Sequence, residues 1–240
     1  FDNNYNDASG NNRNLTAAGS PTFSTDRKDG SHAVSFNGSN QYLNVPFGGS
    51  AGNFPNDAYN ARTIAVWIKP AAAAISGSNK FVYEFGGSDD GIALRFNSGS
   101  LQAGIASGSS RATAVVNSIT SNSSWVSGGW NHVAVVYDVN RLRLFVNGVL
   151  KTTTNLGFSA MTTTTNASRI AGSTGTNAFN SSQSSTNYTG LMDDLEFYSE
   201  PMGADQIVAV MNQSYTADTT FALPAIPAAP TNLISPAQPT

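Results

Sequence analysis

One hairpin pattern near the middle of the chain constrains its fold more than any other feature. Residues 130–138 read WNHVAVVYD and residues 141–146 read RLRLFV, and both runs are rich in β-branched and aromatic residues. Asn-Gly follows at 147–148 and leads into the apolar start of residues 149–151. Asn-Gly between such runs is typical of a type I′ turn, because both central residues of that turn need positive φ. The pattern therefore predicts an antiparallel β-hairpin.

Other segments show the alternation of a half-buried strand. Residues 62–69 alternate cleanly and end before a proline, as a strand should. A short C-terminal helix is expected within residues 201–211, where Ile207, Val208 and Met211 follow helical spacing. Many short strands with almost no helix predict an all-β fold, a two-sheet antiparallel sandwich. The further predicted strands are 33–36, 42–45, 81–85, 92–96 and 188–198.

The composition excludes several classes of protein. Twelve basic residues stand against fifteen acidic ones without a basic cluster, which argues against a nucleic-acid surface. No apolar run approaches the ~18 residues that a membrane-spanning helix requires. The absence of cysteine excludes a disulfide framework, thiol catalysis and Cys-ligated zinc.

A change in composition divides the chain. From residue 216 onward Pro and Ala dominate, which predicts one domain over residues 1–215 and a semi-rigid linker over residues 216–240. Residues 230–236 (PTNLISP) resemble the opening of a fibronectin type III module, so we expect a further domain downstream. The start at Phe1, without a signal-peptide pattern, indicates an excised or processed piece.

Four motifs follow one another along the chain. Residues 7–11 read DASGN, and residues 34–46 read VSFNGSNQYLNVP. Residues 130–148 run from WNH to LFVNG, and residues 190–198 read GLMDDLEFY. Over about residues 1–213 this order resembles the laminin G-like, concanavalin A-like superfamily. The resemblance implies a jelly roll of two antiparallel sheets. It leaves function open, because members include lectins, adhesive modules, spacers and some glycoside hydrolases.

The sequence argues against glycoside hydrolysis. That reaction needs two carboxyl groups, ~5–5.5 Å apart in retaining enzymes. The chain has only three glutamates, Glu84, Glu196 and Glu200. The nearest pair is Asp194 with Glu196, which alternation places on an outward polar face of the last strand. We therefore expect no catalytic residues and no enzymatic activity.

Calcium is the one cofactor that the resemblance implies, because many members hold an ion at an edge of the sandwich. Asp7 and Asn11 are its first candidate ligands, and the alternative for Asp7 is a local Asx turn. Asp193 falls in phase with the apolar residues of the last strand, so its carboxylate must be hydrogen-bonded or metal-bound. Backbone amides and His132 are the alternative partners of Asp193.

Sugar recognition combines aromatic faces with hydrogen bonds from acidic, amide and guanidinium groups. Trp125 is suggestive because polar residues surround it, and its alternative role is packing under a loop. Asp89 and Asp90 lie in a glycine-rich turn, where aspartate is also favoured for local hydrogen bonding. The candidate ligand-binding residues, all in loops or at strand ends, are Asp89, Asp90, Arg95, Arg111, Trp125 and Tyr188.

These observations favour a non-catalytic carbohydrate-binding or adhesion module of a larger secreted or cell-surface protein. We expect a monomeric module with glycan or polysaccharide as its partner, neighbouring domains in the same chain, and binding that depends on calcium. The alternatives are a structural spacer or protein-binding module without a sugar site, and third a divergent polysaccharide-degrading enzyme. An aromatic-lined groove favours the glycan hypothesis, and a flat polar face favours the spacer.

Overall fold

The computed structural model describes residues 1–46, 54–175, 177–179 and 186–215, and β-strands dominate this part of the chain. Two short helices and a 3₁₀ turn at Ile119–Ser121 accompany the strands. The strands and helices are β1 Thr16–Ala18, β2 Thr22–Ser24, β3 Ala33–Asn37, β4 Tyr42–Val45, β5 Ala61–Pro70, α1 Ala72–Ser76, β6 Lys80–Phe85, β7 Asp90–Asn97, β8 Ser100–Ser107, β9 Ser110–Val116, β10 Asn131–Asp138, β11 Arg141–Val146, β12 Val149–Asn155, β13 Ser168–Ile170, β14 Thr186–Asn187, β15 Thr189–Tyr198 and α2 Ala204–Met211.

The strands form two antiparallel sheets that pack face to face, as predicted. The first sheet has the order β1-β4-β13-β6-β7-β8-β9, with β14 joined in parallel to β6. The second has the order β12-β11-β10-β5-β15-β3-β2. We call them the eight-stranded and the seven-stranded sheet. This architecture confirms the two-sheet jelly-roll sandwich with one short C-terminal helix.

Strand alternation places the core between the sheets. In β5, Ile64, Val66 and Ile68 point into the sandwich and join one large apolar cluster, while Ala65 faces outward. The predicted hairpin also forms. Asn147 and Gly148 have φ of 48° and 78°, the positive values that a type I′ turn requires.

Helix α2 covers the outer face of the seven-stranded sheet. Met202, Ile207 and Val210 pack there against small and apolar strand residues such as Ala65 and Phe145. The predicted helix is confirmed, but its buried face is not the expected one. Val208 is 38% exposed, because the contact with the sheet follows the i, i+3 pair Ile207 and Val210.

The sequence did not reveal strands β8 and β9 or helix α1. Strand β8 points Leu101, Ala103 and Ile105 into the core but carries Gly104 on its other face. Gly, Ala and Ser dilute the alternation in this hairpin, so the pairing partners rather than the local pattern define it. The predicted linker at 216–240 lies outside the described residues. Among the described helices, none has the length and apolarity to cross a membrane.

Candidate functional site

A bulge in β15 controls where its acidic residues lie. Met192 faces the core, and Asp193 pairs with Trp67 on the outer side of β5. The register then shifts at Asp194, whose φ is 43°, so that Leu195 again faces the core. Strict alternation had predicted that Asp193 shares a face with Leu195. The bulge instead places the two residues on opposite faces of the sheet. The prediction of burial itself is correct, because Asp193 is fully buried.

Three backbone N–H groups and the N-terminal ammonium of Phe1 satisfy the carboxylate of Asp193. Its Oδ1 accepts from the Phe1 ammonium (2.8 Å), which makes this contact an ion pair, and from the backbone N–H of Asp194 (3.1 Å). Its Oδ2 accepts from the backbone N–H groups of Lys28 (2.9 Å) and Asp29 (3.1 Å). These four donors saturate the buried carboxylate. Asp193 thus ties the start of the chain and the segment before β3 to the last strand.

His132, the other suggested partner of Asp193, contacts different groups. Its ring lies edge-on to Trp67, with 5.2 Å between ring centroids, and the Lys28 ammonium lies 4.0 Å from the centroid of the same Trp67 ring. Burial, followed by the Lys28 charge, lowers the pKa of His132 to about 4. The imidazole is therefore neutral at physiological pH.

Asp7 closes a local turn. Its Oδ1 accepts from the Ser9 backbone (2.9 Å) and its Oδ2 from the Arg13 backbone (3.0 Å). Asn11 donates its side-chain amide to Ser9 Oγ (2.8 Å). These contacts match the Asx-turn alternative. Within the described ranges no three acidic or histidine side chains group as metal ligands, and calcium binding at Asp7, Asn11 and Asp193 stays a prediction.

A cavity lies between residues 1–15 and residues 194–198. We call it the N-terminal groove, and its volume is about 710 Å³. A smaller cavity of about 270 Å³ shares Arg13, Phe54 and Tyr198 with it and extends it toward β5. The groove reaches the core between the sheets, since core-facing residues of β4, β13 and β15 line it.

Aromatic rings form one wall of the N-terminal groove. Phe54 packs edge-on against Phe197 with 4.8 Å between centroids, and Phe197 packs on Phe85 at 5.1 Å. Tyr198 and Phe1 complete the aromatic lining. Rings anchored in this way offer rigid apolar faces to a ligand.

Arg13 lies against this wall with unused hydrogen-bond donors. Its guanidinium carbon stands 4.0 Å from the centroid of Phe54. Its Nε is buried without a partner, and the guanidinium enters no ion pair among the described residues. The stacking fixes the orientation of the side chain while leaving its planar donors available.

Four carboxyl groups line the N-terminal groove: Asp2, Asp7, Asp194 and Glu196. Burial and the neighbouring Asp193 raise the pKa of Asp194 to about 6. Burial, together with the Asp194 charge, raises the pKa of Glu196 to about 7. Both residues of the pair line the groove and are half-buried. Glu196 lies opposite Ala65 on the outer side of the seven-stranded sheet, as predicted, whereas Asp194 is the bulged residue.

The predicted residues Asp89, Asp90 and Arg111 meet at one end of the eight-stranded sheet. Arg111 donates to the Ser88 carbonyl (2.9 Å) and holds the β6–β7 turn against β9. Asp90 accepts from Ser107 Oγ (3.2 Å), and Asp89 is exposed. We call Ser88, Asp89, Asp90 and Arg111 the turn cluster.

Glu84 lies beneath this turn on the outer side of the eight-stranded sheet and is fully buried. Its carboxyl accepts from the Gly87 backbone (2.6 Å) and from Thr174 Oγ1 (3.3 Å). Burial raises the pKa of Glu84 to about 7, although both hydrogen bonds favour the ionised form. Glu84 therefore fixes the turn that carries Asp89.

Arg95 is buried on the same outer face, away from the turn cluster. It donates to Gln102 Oε1 (2.9 Å) and Asn79 Oδ1 (2.8 Å), and Phe179 stacks on its guanidinium at 3.7 Å. Trp125 and Tyr188 are also buried: Trp125 packs edge-on against Phe96, as the loop-packing alternative predicted. The buried rings of Trp125 and Tyr188 have no free face for a sugar, and Phe179 covers the guanidinium of Arg95. The proposed site therefore omits these three residues.

Sequence reasoning did not identify Arg13 or Phe54. Neither lies in a patterned strand, and the groove forms only when the start of the chain packs beside β15. One local signal did exist. Asp193-Asp194 places two acids side by side within a strand, a break in alternation that indicates a bulge.

A sequence profile of the concanavalin A-like lectin/glucanases superfamily matches residues 36–208. No curated protein sequence matches the chain. Solved structures do resemble it. Domain 4 of AbnA, a GH43 extracellular arabinanase from Geobacillus stearothermophilus solved with arabinotriose, has a TM-score of 0.60 and 20% identity, covering 87% of this chain and 93% of that one.

Botulinum neurotoxin domains are also similar. The receptor-binding domain of the C/D mosaic serotype has a TM-score of 0.65 and 14% identity, covering 86% of this chain and 48% of the toxin domain. The serotype D ligand-binding domain, solved with N-acetylneuraminic acid, has a TM-score of 0.64 and 14% identity, with 86% and 47% coverage. The chain thus spans about half the length of these toxin domains. At such identities the likeness establishes the fold alone.

Proposed function

The chain belongs to the concanavalin A-like lectin/glucanases superfamily, and on that premise we propose that it is a non-catalytic carbohydrate-binding module whose glycan lies in the N-terminal groove. The observation that carries the proposal is Arg13, stacked on Phe54 with its donors unpaired at the edge of a large aromatic-lined cavity. Ligand sites are concave, mostly apolar, and carry a few oriented polar groups.

Each part of the groove suits a sugar. The apolar C–H face of a pyranose or furanose ring can pack on Phe54 or Tyr198, and the guanidinium of Arg13 can donate to two neighbouring hydroxyl oxygens. Carboxylates of Asp194 and Glu196 can accept hydrogen bonds from hydroxyl groups. A spacer needs none of these exposed partners, which favours binding over the structural alternative.

The similar structures support this assignment. The arabinanase domain was solved with arabinotriose and the serotype D toxin domain with N-acetylneuraminic acid. The arabinanase is extracellular, which agrees with a secreted or cell-surface parent protein for this module. We further propose that the module is monomeric and joined through residues 216–240 to another domain.

The turn cluster is the second candidate location. Its Arg111–Ser88 contact holds Asp89 and Asp90 together at an accessible edge. The Arg111 guanidinium stacks on no ring among the described side chains, so the groups of this cluster offer a glycan mainly hydrogen bonds.

Binding to a broad glycan array tests the proposal. The wild-type module should bind a defined set of glycans, Arg13→Gln should lose that binding, and Arg111→Gln should keep it. The reverse pattern would move the site to the turn cluster. If the wild-type module bound no glycan on the array, the result would favour the protein-binding or spacer alternative.

Two further experiments test calcium dependence on the same array and the turnover of the glycans that it identifies. A chelator should leave binding unchanged, because Asp7 and Asp193 are satisfied by backbone donors; loss of binding would instead support the calcium prediction. Incubation with the bound glycans should release no reducing ends. Turnover that Glu196→Gln or Glu84→Gln abolishes would contradict the non-catalytic assignment.

A further inference from the structure

We propose that the N-terminal groove selects uncharged glycans and excludes those that carry carboxylate groups. This inference rests on the proposed function and adds the class of ligand. It follows from the charges that line the groove and from the absence of a free cation beside them.

The charge balance of the lining is negative. Asp2, Asp7, Asp194 and Glu196 line the cavity, and Arg13 is the one basic side chain among its described lining residues. Asp7 accepts from the backbone N–H of Arg13, and the positive charge of Arg13 helps to lower the pKa of Asp7, so the two charges interact. The attraction of Arg13 for an incoming anion is therefore already offset within the site.

One further cation lies beside the two carboxyl groups of β15: the N-terminal ammonium of Phe1, which pairs with Asp193 at 2.8 Å and opposes the rise in the pKa of Asp194. Asp194 also faces Asp193 and Asp29 and accepts from the Gln213 amide (3.1 Å). Glu196 faces Asp194 and the hydroxyl of Tyr198.

The basic side chains nearby are engaged elsewhere. Arg62 pairs with Asp57 at 2.8 Å. Lys28 lies on the ring of Trp67, and Lys69 pairs with Asp26 at 2.6 Å. An anionic ligand would therefore bring a further negative charge to a cavity where four carboxyl groups already outnumber Arg13 and the Phe1 ammonium.

Protonation should weaken this exclusion. The pKa values of about 6 for Asp194 and about 7 for Glu196 mean that both groups are mostly neutral near pH 5. Asp2 and Asp7 stay ionised there, because hydrogen bonds from Ser31 lower the pKa of Asp2 and those from Ser9 and Arg13 lower that of Asp7 despite its burial. Selectivity should thus decrease at low pH without disappearing.

The experiment compares one bound neutral glycan with the same glycan after oxidation of a primary hydroxyl to a carboxylate. The starting probes are arabinotriose and cellotriose, which both carry a primary hydroxyl, measured by titration calorimetry with the wild-type module. We expect at least about tenfold weaker binding of the oxidised form near pH 7.5 at low salt, and about threefold or less near pH 5.

The double variant Asp194→Asn, Glu196→Gln should reduce the difference near pH 7.5 to about threefold. Asp205→Asn removes an exposed carboxylate at the start of α2 and should leave the difference unchanged, which makes it the matched control. Equal or tighter binding of the oxidised glycan by the wild type would overturn the selectivity and leave the binding module intact. Failure of every probe and of the full array would overturn both.

Discussion

The two halves of strand β15 differ in how many hydrogen-bond donors they provide to their carboxyl groups. Before the bulge, Asp193 is fully buried and receives three backbone N–H groups and the N-terminal ammonium of Phe1. After the bulge, Asp194 accepts from one side-chain amide, and Glu196 lies near a tyrosine hydroxyl. The acceptor sites of Asp193 are thus saturated with hydrogen-bond donors, whereas those of Asp194 and Glu196 are largely free.

The difference separates a structural role from a binding role. A carboxylate that is saturated by backbone donors holds segments of the chain together and has little capacity left for a ligand. A carboxyl group that keeps free acceptor sites beside a cavity can bind an external hydroxyl group. A single residue with φ of 43° in β15 creates both environments.

Substitution of Asp193 by Ala should have the largest effect. It leaves the Phe1 ammonium and three backbone N–H groups without their acceptor, and two of these N–H groups lie in the segment before β3. We expect a loss of about 3 kcal/mol in the free energy of unfolding, measured by urea denaturation near neutral pH. Asp194→Ala is the matched control and should change stability by less than about 1 kcal/mol. Similar losses for both variants would remove the distinction between the two halves.

Glu84 extends the comparison to the eight-stranded sheet. It is as buried as Asp193 but has two hydrogen-bond donors, and its pKa is raised to about 7. A raised carboxyl pKa means that the folded state binds the proton more tightly than the unfolded chain. The contribution of Glu84 to the free energy of unfolding is therefore greatest below about pH 4.5 and decreases as the pH rises toward 7.

Glu84→Gln removes this pH-dependent cost while keeping the carbonyl acceptor for Gly87. We expect the variant to be more stable than wild type by about 1–2 kcal/mol near pH 8 and no more stable near pH 4. Thermal unfolding across this pH range measures the effect. A constant difference between the two proteins at all pH values would refute the assigned cause.

Arg13 sharpens the comparison on the side of binding. Arg13→Lys keeps the positive charge but loses the planar pair of donors and the stacking on Phe54. We expect about tenfold weaker glycan binding, near 1.4 kcal/mol, with an unchanged free energy of unfolding. Wild-type affinity in this variant would show that charge alone suffices.

The smallest effect is expected for the stability of Asp194→Asn. Burial and Asp193 raise the pKa of Asp194 to about 6, so the ionised carboxylate costs stability above that pH. The side chain is partly exposed, and solvent screening reduces the effect to a gain of about 0.5 kcal/mol near pH 8. Denaturant titrations near pH 4 and pH 8 should show this gain only at the higher pH.

Local patterns were sufficient for most of the framework. The Asn147-Gly148 turn, the alternation in β5 and the register of the central strands follow from positive φ and a period of two. Strand β8 escaped prediction, because its Gly and Ala residues acquire strand geometry from their neighbours rather than from their own side chains.

The candidate site could be predicted only in part. The sequence placed Asp89, Asp90 and Arg111 in loops or at strand ends, and the structure brings them together. Arg13 and Phe54 contact each other although they lie about 40 residues apart, and Phe54 also packs on Phe197. Local sequence patterns do not predict contacts between such distant segments, so composition and spacing could not reveal the groove.

The position of β15 within its sheet has a consequence for how the chain is assembled. This strand is the last of the described strands along the chain, yet it lies between β5 and β3, which precede it by more than a hundred residues. Until it arrives, β3 and β5 present unpaired edges, and the entropy of closing these long loops must be overcome late. Folding of the seven-stranded sheet should therefore be slow and completed only after synthesis has passed residue 198, with the incomplete chain exposed to aggregation in the meantime.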